Sequence, residues 1–289
     1  MGHQGSWLQS QSGLGPGHIV DTCVFAGPLL HATLRQTCPE PVAPETESPS
    51  VEEMETKLSD LIEDMDRARV TAGLMVFHEE ADAFFRFAAE HPGRLYGLAY
   101  YDSLSPCRGL EQVQRLWNRS PELVLGVATA MARFGQDPRL REFVPLYEFC
   151  AEKGLPVQFW TGNDPTGQLA ARPMALAVLA RSYPRLKLVC QYGRNWHPEA
   201  LALLKRFENL SLQVDGLSLQ AMLRMIQSRR LLFGGDWRSR QDGYLERVGA
   251  VRRLPWWQRR NVGWRTAVRV YGSRILCRLA RSDSQAYSR

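Results

Sequence analysis

Asp236 is the residue of this sequence best suited to acid–base chemistry, because it follows a short apolar run and two glycines, Gly234 and Gly235. A carboxylate at an apolar strand end has its charged form disfavoured, which raises its pKa and suits it to proton transfer near neutral pH. The alternative is a structural role as an ion-pair partner of Arg194 or Arg238. No Lys-Ser or Lys-Thr follows the glycines, so a phosphate loop is not indicated.

Two further side chains could take part in a reaction. Cys23, in the run Val20-Asp21-Thr22-Cys23-Val24-Phe25, would be a nucleophile if a base or a positive charge lowered its thiol pKa. No histidine is adjacent in the sequence, so an inert strand position is the alternative. Tyr192 follows another apolar run, and its phenol can donate or accept a hydrogen bond beside Asp236.

Large rings and polar groups occur together at the ends of the apolar runs. The rings would form the walls of a pocket for a planar or hydrophobic molecule, and the polar groups would orient it. An arginine there would bind a carboxylate through two parallel hydrogen bonds. His78 follows Met75-Val76-Phe77 directly, although a hydrogen-bonded structural or surface histidine is the alternative. The predicted substrate-binding residues are Phe25, Trp160, Gln191, Arg194, Arg238 and His78.

The elements that must position these residues follow an alternating pattern. From residue 18 onward, short apolar runs alternate with longer segments of helical period, which is typical of βαβ units and a parallel sheet. The predicted strands are His18–Phe25, Ala72–Phe77, Leu95–Tyr101, Leu123–Ala128, Pro156–Trp160, Lys187–Gln191, Leu210–Val214 and Arg230–Gly234. The predicted helices include Val51–Ala68, Glu80–His91, Gly109–Arg119, Leu140–Lys153, Pro173–Tyr183 and Pro198–Phe207.

Eight strands interleaved with helices predict an α/β fold of one domain, a closed (β/α)8 TIM barrel over residues 18–273. The loops after the carboxyl ends of the strands form the active face of such a barrel, so the candidate residues would meet there. Outside the regular elements, the composition predicts a flexible segment over residues 1–17, a Pro-rich loop excursion over residues 39–49 and a basic tail over residues 274–289.

The composition narrows the classes of function. The net charge of +6 arises from 36 basic and 30 acidic residues, with the arginine excess late in the chain. A nucleic-acid surface would need these charges on one face beside aromatic platforms, and Trp256 and Trp257 are the only such hint. They are interpreted as packing residues of the late helices, with an interface as the alternative if they are exposed. We therefore expect no nucleic-acid partner.

The cysteines and the apolar runs bear on the compartment. The six cysteines form no CxxC pair, so neither a zinc ribbon nor a disulfide framework is indicated. The sequence has no signal-peptide pattern and no apolar run of about 20 residues. We therefore expect a cytoplasmic protein without a membrane partner, whose ligand is a small molecule and which could form a homodimer.

Over residues 18–273 the chain resembles the amidohydrolase superfamily, in particular its branch of carboxymuconate-semialdehyde-type decarboxylases and related lactone hydrolases. The resemblance rests on the order and spacing of several short motifs, each weak alone. These motifs are Val20-Asp21-Thr22, Met65-Asp66-Arg67-Ala68, His91-Pro92-Gly93-Arg94-Leu95-Tyr96-Gly97, Pro145-Leu146-Tyr147, Lys153-Gly154-Leu155-Pro156-Val157, Tyr183-Pro184-Arg185-Leu186-Lys187-Leu188-Val189 and Leu231-Leu232-Phe233-Gly234-Gly235-Asp236-Trp237.

The resemblance implies a divalent metal, usually zinc, held by histidines after strands one, five and often six and by an aspartate after strand eight. Such a metal acidifies water or polarises a substrate oxygen. At the matching positions this chain has Cys23, Phe25, Trp160, Gln191 (or Tyr192) and Asp236, so that only the aspartate is kept. A family-type metal site is therefore not expected, and no cofactor is predicted. A different site rebuilt from loop histidines, among them His31, His78 and His197, is the alternative.

The resemblance leaves two classes of function open. In the first, the chain is an enzyme that works without metal on an aromatic or carboxylated small molecule, with Asp236 as the general acid or base. Lactone hydrolases of the branch place a carboxylate-binding arginine near the position of Arg194. In the second, the barrel is an inactive pseudoenzyme that serves as a binding or scaffold module. A residual metal-dependent hydrolase or decarboxylase is a third reading.

Overall fold

The computed structural model describes residues 18–24, 51–77, 82–161, 172–191, 197–216, 218–235, 237 and 243–277. Its strands are β1 Val20–Val24, β2 Ala72–Phe77, β3 Leu95–Tyr101, β4 Val124–Thr129, β5 Val157–Trp160, β6 Leu188–Gln191, β7 Leu210–Val214 and β8 Leu231–Phe233. Its α-helices are α1 Val51–Arg67, α2 Asp82–Glu90, α3 Pro106–Arg119, α4 Val144–Lys153, α5 Leu176–Ser182, α6 His197–Arg206, α7 Leu219–Leu223, α8 Tyr244–Arg252, α9 Trp256–Arg260, α10 Thr266–Tyr271 and α11 Arg274–Cys277. A π-helix over Asn261–Arg265 joins α9 to α10.

The strands form one parallel sheet in the order β1 to β8, so each strand pairs with the next along the chain. Side chains of β1 connect the first strand to the last. The Thr22 hydroxyl donates a hydrogen bond to the Phe233 carbonyl oxygen at 2.7 Å, and the Gly235 N–H donates to Asp21 Oδ1 at 2.7 Å. The single-domain (β/α)8 TIM barrel predicted from the sequence is confirmed.

Strands β2 and β3 are apolar along their whole length because helices cover their outer face and packed side chains fill their inner face. Every residue of β2 and of β3 is buried. The helices between the strands end at ordinary stop signals, as in α4, which ends at Gly154 with φ +67°. A left-handed φ costs glycine little because it has no Cβ, so the chain can turn there into β5.

The last helices pack across the amino-terminal ends of the strands. Lys187, just before β6, donates to the Val270 carbonyl oxygen at 3.1 Å, and the Tyr96 hydroxyl of β3 donates to the Arg274 carbonyl oxygen at 3.2 Å. A Cβ on Gly263 of the π-helix would lie 3.0 Å from the carbonyl oxygen of His18, just before β1. These helices close the bottom of the barrel, so the loops at the carboxyl ends of the strands surround the opposite opening, the mouth.

The element bounds differ little from the prediction. Strands β2, β3 and β7 have the predicted bounds, and the other strands begin or end one or two residues away. Two predicted helices are divided, because the 3₁₀ turns Arg141–Phe143 and Pro173–Ala175 precede α4 and α5. Tight turns of this kind are common at helix starts.

The interpretation of Trp256 and Trp257 as packing residues is wrong. Their exposed fractions are 57% and 55%. Among the flanking segments, residues 1–17 and 39–49 lie outside the described residues, whereas Arg274–Cys277 of the predicted tail form α11. None of the helices in the described part of the chain combines the length and apolar character needed to cross a membrane.

Candidate active site

Two of the predicted site residues lie side by side at the mouth of the barrel. Trp160 is the last residue of β5 and Gln191 the last residue of β6, and the two are direct partners in the parallel pairing of these strands. Both are partly buried. The carboxyl-terminal ends of β5 and β6 therefore bring an indole and an amide together, as the sequence predicts.

Trp160 has an aromatic neighbour from β3. The centroid of its ring lies 6.3 Å from that of Tyr100, with an angle of 39° between the planes. Tyr100 is buried. This pair forms an aromatic surface within the barrel, in keeping with the predicted aromatic wall. Tyr100 was not among the predicted site residues. It lies in the middle of an apolar strand, and the neighbouring residues in the sequence do not indicate toward which face of the sheet its ring points.

Gln191 is held by a chain of neutral hydrogen bonds. The Tyr271 hydroxyl of α10 donates to Gln158 Oε1 at 2.9 Å, and Gln158 Nε2 lies 3.4 Å from Gln191 Oε1 as its donor. Thr161 donates its hydroxyl to the main-chain carbonyl oxygen of Gln191 at 2.6 Å. The chain runs from the bottom helices through the barrel to the mouth, and it engages the side-chain oxygen of Gln191. We call Trp160, Gln158, Gln191 and Tyr271 the β5–β6 wall.

On the other side of the barrel, a fully buried carboxylate holds the chain just before Asp236. Asp21 in β1 accepts the hydrogen bond from the Gly235 N–H, and the Arg247 guanidinium of α8 donates from Nε to the Gly235 carbonyl oxygen at 2.6 Å. A Cβ on Gly235 would lie 2.2 Å from Asp21 Oδ2, and real Cβ atoms do not approach that closely. Only glycine therefore fits at residue 235.

Tyr244 and Trp237 complete this arrangement. Burial raises the pKa of the Tyr244 phenol well above its usual value, and the negative charge of Asp21 raises it further. Tyr244 is therefore a neutral hydroxyl beside a carboxylate. On the far side of Asp236, the Trp237 indole N–H donates to Asp64 Oδ2 of α1 at 2.9 Å. We call Asp21, Gly235, Trp237, Tyr244 and Arg247 the β8–β1 seam.

The other predicted site residues are not part of this description. Asp236, Tyr192, Phe25, Arg194, Arg238 and His78 lie outside the described residues, and of Cys23 only its place in β1 is described. Their assigned roles stay predictions. The residues of the seam that the sequence analysis missed had one available signal, because Asp21 belongs to the Val20-Asp21-Thr22 motif.

The described positions of the family's metal site do not suit a zinc ion. An indole N–H at Trp160 is a donor only, and the amide oxygen of Gln191 already accepts from Gln158. Among the described residues, no three His, Cys, Asp or Glu side chains are grouped to hold a metal ion. The donor set at β5 and β6 therefore does not fit the family's zinc, whatever the residues outside the description contribute.

Comparisons with known proteins agree with this fold. Residues 50–273 match the family model described as amidohydrolase. A search of curated protein sequences gave no match. Among solved structures, the chain is similar to 4-oxalomesaconate hydratase from Rhodopseudomonas palustris, with a TM-score of 0.66 and 14% identity over 93% of this chain and 99% of that one.

Two further solved structures are similar over most of their length. One is a probable 2-pyrone-4,6-dicarboxylic acid hydrolase from Acinetobacter baumannii with citric acid bound (TM-score 0.59, 15% identity, 88% of this chain and 98% of that one). The other is 5-carboxyvanillate decarboxylase from Novosphingobium aromaticivorans with bound manganese (TM-score 0.60, 11% identity, 88% and 96%). At these identities the likeness shows the fold alone. Because the family model matches well over half of the sequence, the chain belongs to the amidohydrolase family.

Proposed function

We propose that this chain is an enzyme that acts on an aromatic or carboxylated small molecule without a metal ion, with Asp236 as general acid or base. The observation that carries the proposal is the chemistry of the β5–β6 wall. Where the family has metal-ligating histidines, this chain has the indole of Trp160 and an amide whose oxygen is already engaged by Gln158. A carboxylate can transfer a proton without a metal ion, so the reaction does not require Trp160 or Gln191 to be metal ligands.

The described surroundings support a flat or carboxylated substrate. The partly exposed ring of Trp160, which packs beside the buried ring of Tyr100, offers a surface on which a planar molecule can pack. The amide nitrogen of Gln191 is a donor that suits a carboxylate or carbonyl oxygen, because its oxygen accepts from Gln158. The three similar solved structures are named for carboxylated compounds, namely oxalomesaconate, pyrone dicarboxylic acid and carboxyvanillate, which points to the same chemical class.

The seam supports a positioned residue 236. Gly235 is held by Asp21 and Arg247, and Trp237 is held by Asp64, so the main chain is tied on both sides of the proposed acid–base residue. Catalysis by a carboxylate depends on its being held within hydrogen-bond reach of the reacting proton. The buried hydrogen bonds of Gly235 and Trp237 would hold the main chain in this way on both sides of residue 236.

The remaining predicted residues take supporting roles in this proposal. Tyr192 and Cys23 would assist proton transfer beside Asp236. Arg194 and Arg238 would bind the substrate carboxylate, and Phe25 and His78 would line the pocket. The reaction class consistent with these groups is proton transfer, cyclisation, hydrolysis or carbon–carbon bond chemistry, with a proton moving between Asp236 and the substrate.

The test combines metal analysis with one substitution. The purified protein would be assayed for zinc, manganese and iron by mass spectrometry, then screened for turnover of aromatic and carboxylated small molecules before and after chelation. We expect turnover that survives chelation, and a loss of about 10²- to 10⁴-fold in Asp236→Asn, which is the usual size of a general acid–base contribution. Asp82→Asn is the matched control, because Asp82 is exposed at the start of α2 and pairs with Arg119 at the surface.

Each other outcome selects a different function. Turnover that is lost on chelation and restored by added metal would contradict the proposal and favour a metal-dependent hydrolase or decarboxylase. A metal-free protein without turnover, whose ligand-induced stabilisation is equal in wild type and Asp236→Asn, would contradict it in favour of a scaffold.

A further inference from the structure

The last helices of the chain carry a run of positive charge without any acidic residue. From Arg252 to Cys277 the sequence contains seven arginines and no Asp, Glu or Lys. These residues form the end of α8, the whole of α9 and the helices that follow it. They lie at the bottom of the barrel, so this charge is on the face opposite the mouth.

The side chains of these arginines donate hydrogen bonds to neutral acceptors, which do not offset their positive charge. Arg252 donates to the carbonyl oxygens of Ala68 and Arg69, Arg259 to that of Arg252, Arg269 to that of Arg229, and Arg274 to that of Pro121. A carbonyl oxygen is a neutral acceptor and does not cancel a guanidinium charge. No ion pair between described residues involves an arginine from Arg252 to Arg274.

Neighbouring arginines act on one another at this face. Burial lowers the pKa of Arg252, and the positive charges of Arg69 and Arg259 lower it further. Burial likewise lowers the pKa of Arg265, with Arg260 as the charged neighbour. Like charges held this close repel one another, so an anion placed between them would relieve that repulsion.

A groove at the edge of this face is suited to an anionic group. It lies between α1 and α8, has a volume of about 360 Å³ and is open to solvent. Arg67, Arg69 and Arg252 line it together with Leu245 and Val248. Arg67 also pairs with Asp64 at 3.2 Å, which leaves Arg69 and Arg252 as the cations without an acidic partner among the described residues.

Next to these arginines, α9 projects two indoles into solvent. Trp256 and Trp257 are 57% and 55% exposed, and Pro255 before them is exposed as well. Their ring centroids are 6.1 Å apart and their planes are nearly perpendicular, at 88°. Tryptophan has its preferred place at the boundary between water and lipid, where its ring contacts apolar chains and its N–H stays hydrated.

We propose that this face, formed by Arg252, Arg253, Trp256, Trp257, Arg259, Arg260 and Arg265, binds the surface of a membrane that contains anionic phospholipids. The arginines contact the lipid phosphates and the two indoles enter the headgroup region. The sequence-based expectation of no membrane partner concerned an apolar run long enough to cross the bilayer, which a surface contact does not require.

Two other occupants fit the same face less well. Successive bases of single-stranded nucleic acid stack in parallel, whereas the two indole planes are perpendicular, so the pair is a poor platform for two bases. A second copy of this chain related by a two-fold axis would bring arginines against arginines, with no acidic residue from 247 to 277 to offset them.

The test is co-sedimentation of the full chain with vesicles of phosphatidylcholine alone or with about 30% phosphatidylserine. We expect binding to the anionic vesicles only, with loss of binding at about 0.5 M salt. Arg253→Gln with Arg265→Gln should weaken binding about 30-fold, because each exposed arginine contributes roughly a factor of five near such a surface. Trp256→Ser with Trp257→Ser should weaken it by about 10-fold or more.

Matched controls use side chains on other faces. Arg86→Gln removes an exposed arginine of α2, and Leu104→Ser removes an exposed apolar residue after β3. Neither control should change binding, and thermal melting would confirm that each variant folds. The proposal is overturned if wild type does not bind anionic vesicles, or if the controls lose as much binding as the face variants. It is also overturned if a labelled single-stranded oligonucleotide, or self-association in analytical ultracentrifugation, depends on these residues while vesicle binding is absent.

Discussion

The β8–β1 seam and the β5–β6 wall hold opposite sides of the same mouth by different chemistry. The seam uses a buried carboxylate, with Asp21 bonded to Gly235 and a neutral Tyr244 beside it. The wall uses uncharged groups, with Tyr271 bonded to Gln158 and Gln158 to Gln191. A bond to a buried charge contributes more than a neutral one, and it costs more to break. The seam should therefore be the rigid side and the wall the more tolerant one.

The largest effect is expected for Gly235→Ala. The added Cβ would meet Asp21 Oδ2 at 2.2 Å and the Tyr244 ring at 2.4 Å, so the carboxylate and its hydrogen bond must move. We expect a loss of about 4 kcal/mol in the free energy of unfolding, from overpacking and the weakened charged bond together. Urea denaturation would measure it. Gly249→Ala in α8 is the control and should be neutral or stabilising by up to about 1 kcal/mol, because alanine favours a helix interior and its Cβ meets only the end of the flexible Arg253 side chain. Equal stability of the two variants would contradict a rigid seam.

Asp21→Ala should have the next largest effect, about 3 kcal/mol. The substitution removes the acceptor of the Gly235 N–H and leaves that donor buried. Asp82→Ala is the comparison, since its ion pair with Arg119 is exposed and should contribute less than about 1 kcal/mol. The idea of a charge-based seam fails if the two aspartates prove equally dispensable in urea denaturation.

Substitutions in the β5–β6 wall should lower the free energy of unfolding by smaller amounts. Tyr271→Phe removes the hydroxyl that donates to Gln158 and should cost about 1 kcal/mol, as should Gln158→Leu. Because the two residues share this bond, the double variant should be more stable than the sum of the single losses predicts, by about 0.5 kcal/mol or more. A double-mutant cycle measured by urea denaturation provides the number. Strict additivity would show that the chain of neutral bonds is not coupled.

The smallest expected effect is in the pH dependence. Burial raises the pKa of Cys190 in β6 to about 12 from a usual value of 9.0, so the folded state holds this proton more tightly than the unfolded state. The corresponding stability is complete below pH 9 and is lost as the pH rises from there toward 12. Between pH 8 and pH 9, the wild type should lose about 0.4 kcal/mol more than Cys190→Ala.

Tyr244 of the seam should respond to alkali at a higher pH than Cys190 of β6. The pKa of the Tyr244 phenol is also raised by burial, but from a usual value of 10.0, so its contribution begins to fall only above pH 10. Tyr244→Phe should therefore match the slope of the wild type between pH 8 and pH 9.5. A changed slope in that range would show that Tyr244 and Cys190 do not differ in this way.

The barrel was predictable because its signals are local. Alternation of short apolar runs with helical segments reveals strands and helices, and strand order along the chain decides which residues reach the mouth. The positions of Trp160 and Gln191 at the ends of their strands were predicted in this way. Contacts that join distant parts of the chain leave no such signal, as with Tyr271 and Gln158, which are 113 residues apart.

The error at Trp256 and Trp257 has a simple geometric cause. Adjacent residues on an α-helix point about 100° apart, so one short helix cannot direct both toward the same core. Their apolar character suggested burial, but α9 has only five residues and lies on the end of the barrel, not between two layers. The residue type suggested that these side chains would be buried, but the position of α9 leaves them exposed.

Through the hydroxyl of Tyr271, the helices that close the bottom of the barrel help to orient Gln191 at the mouth. A shortened chain that ended after α8 would keep all eight strands and their complete pairing. It would nevertheless lose the group that orients Gln158 and, through it, Gln191. The shortest chain that orients Gln191 is thus longer than the shortest chain that forms the sheet, and engineering of the carboxyl terminus should preserve it through α10.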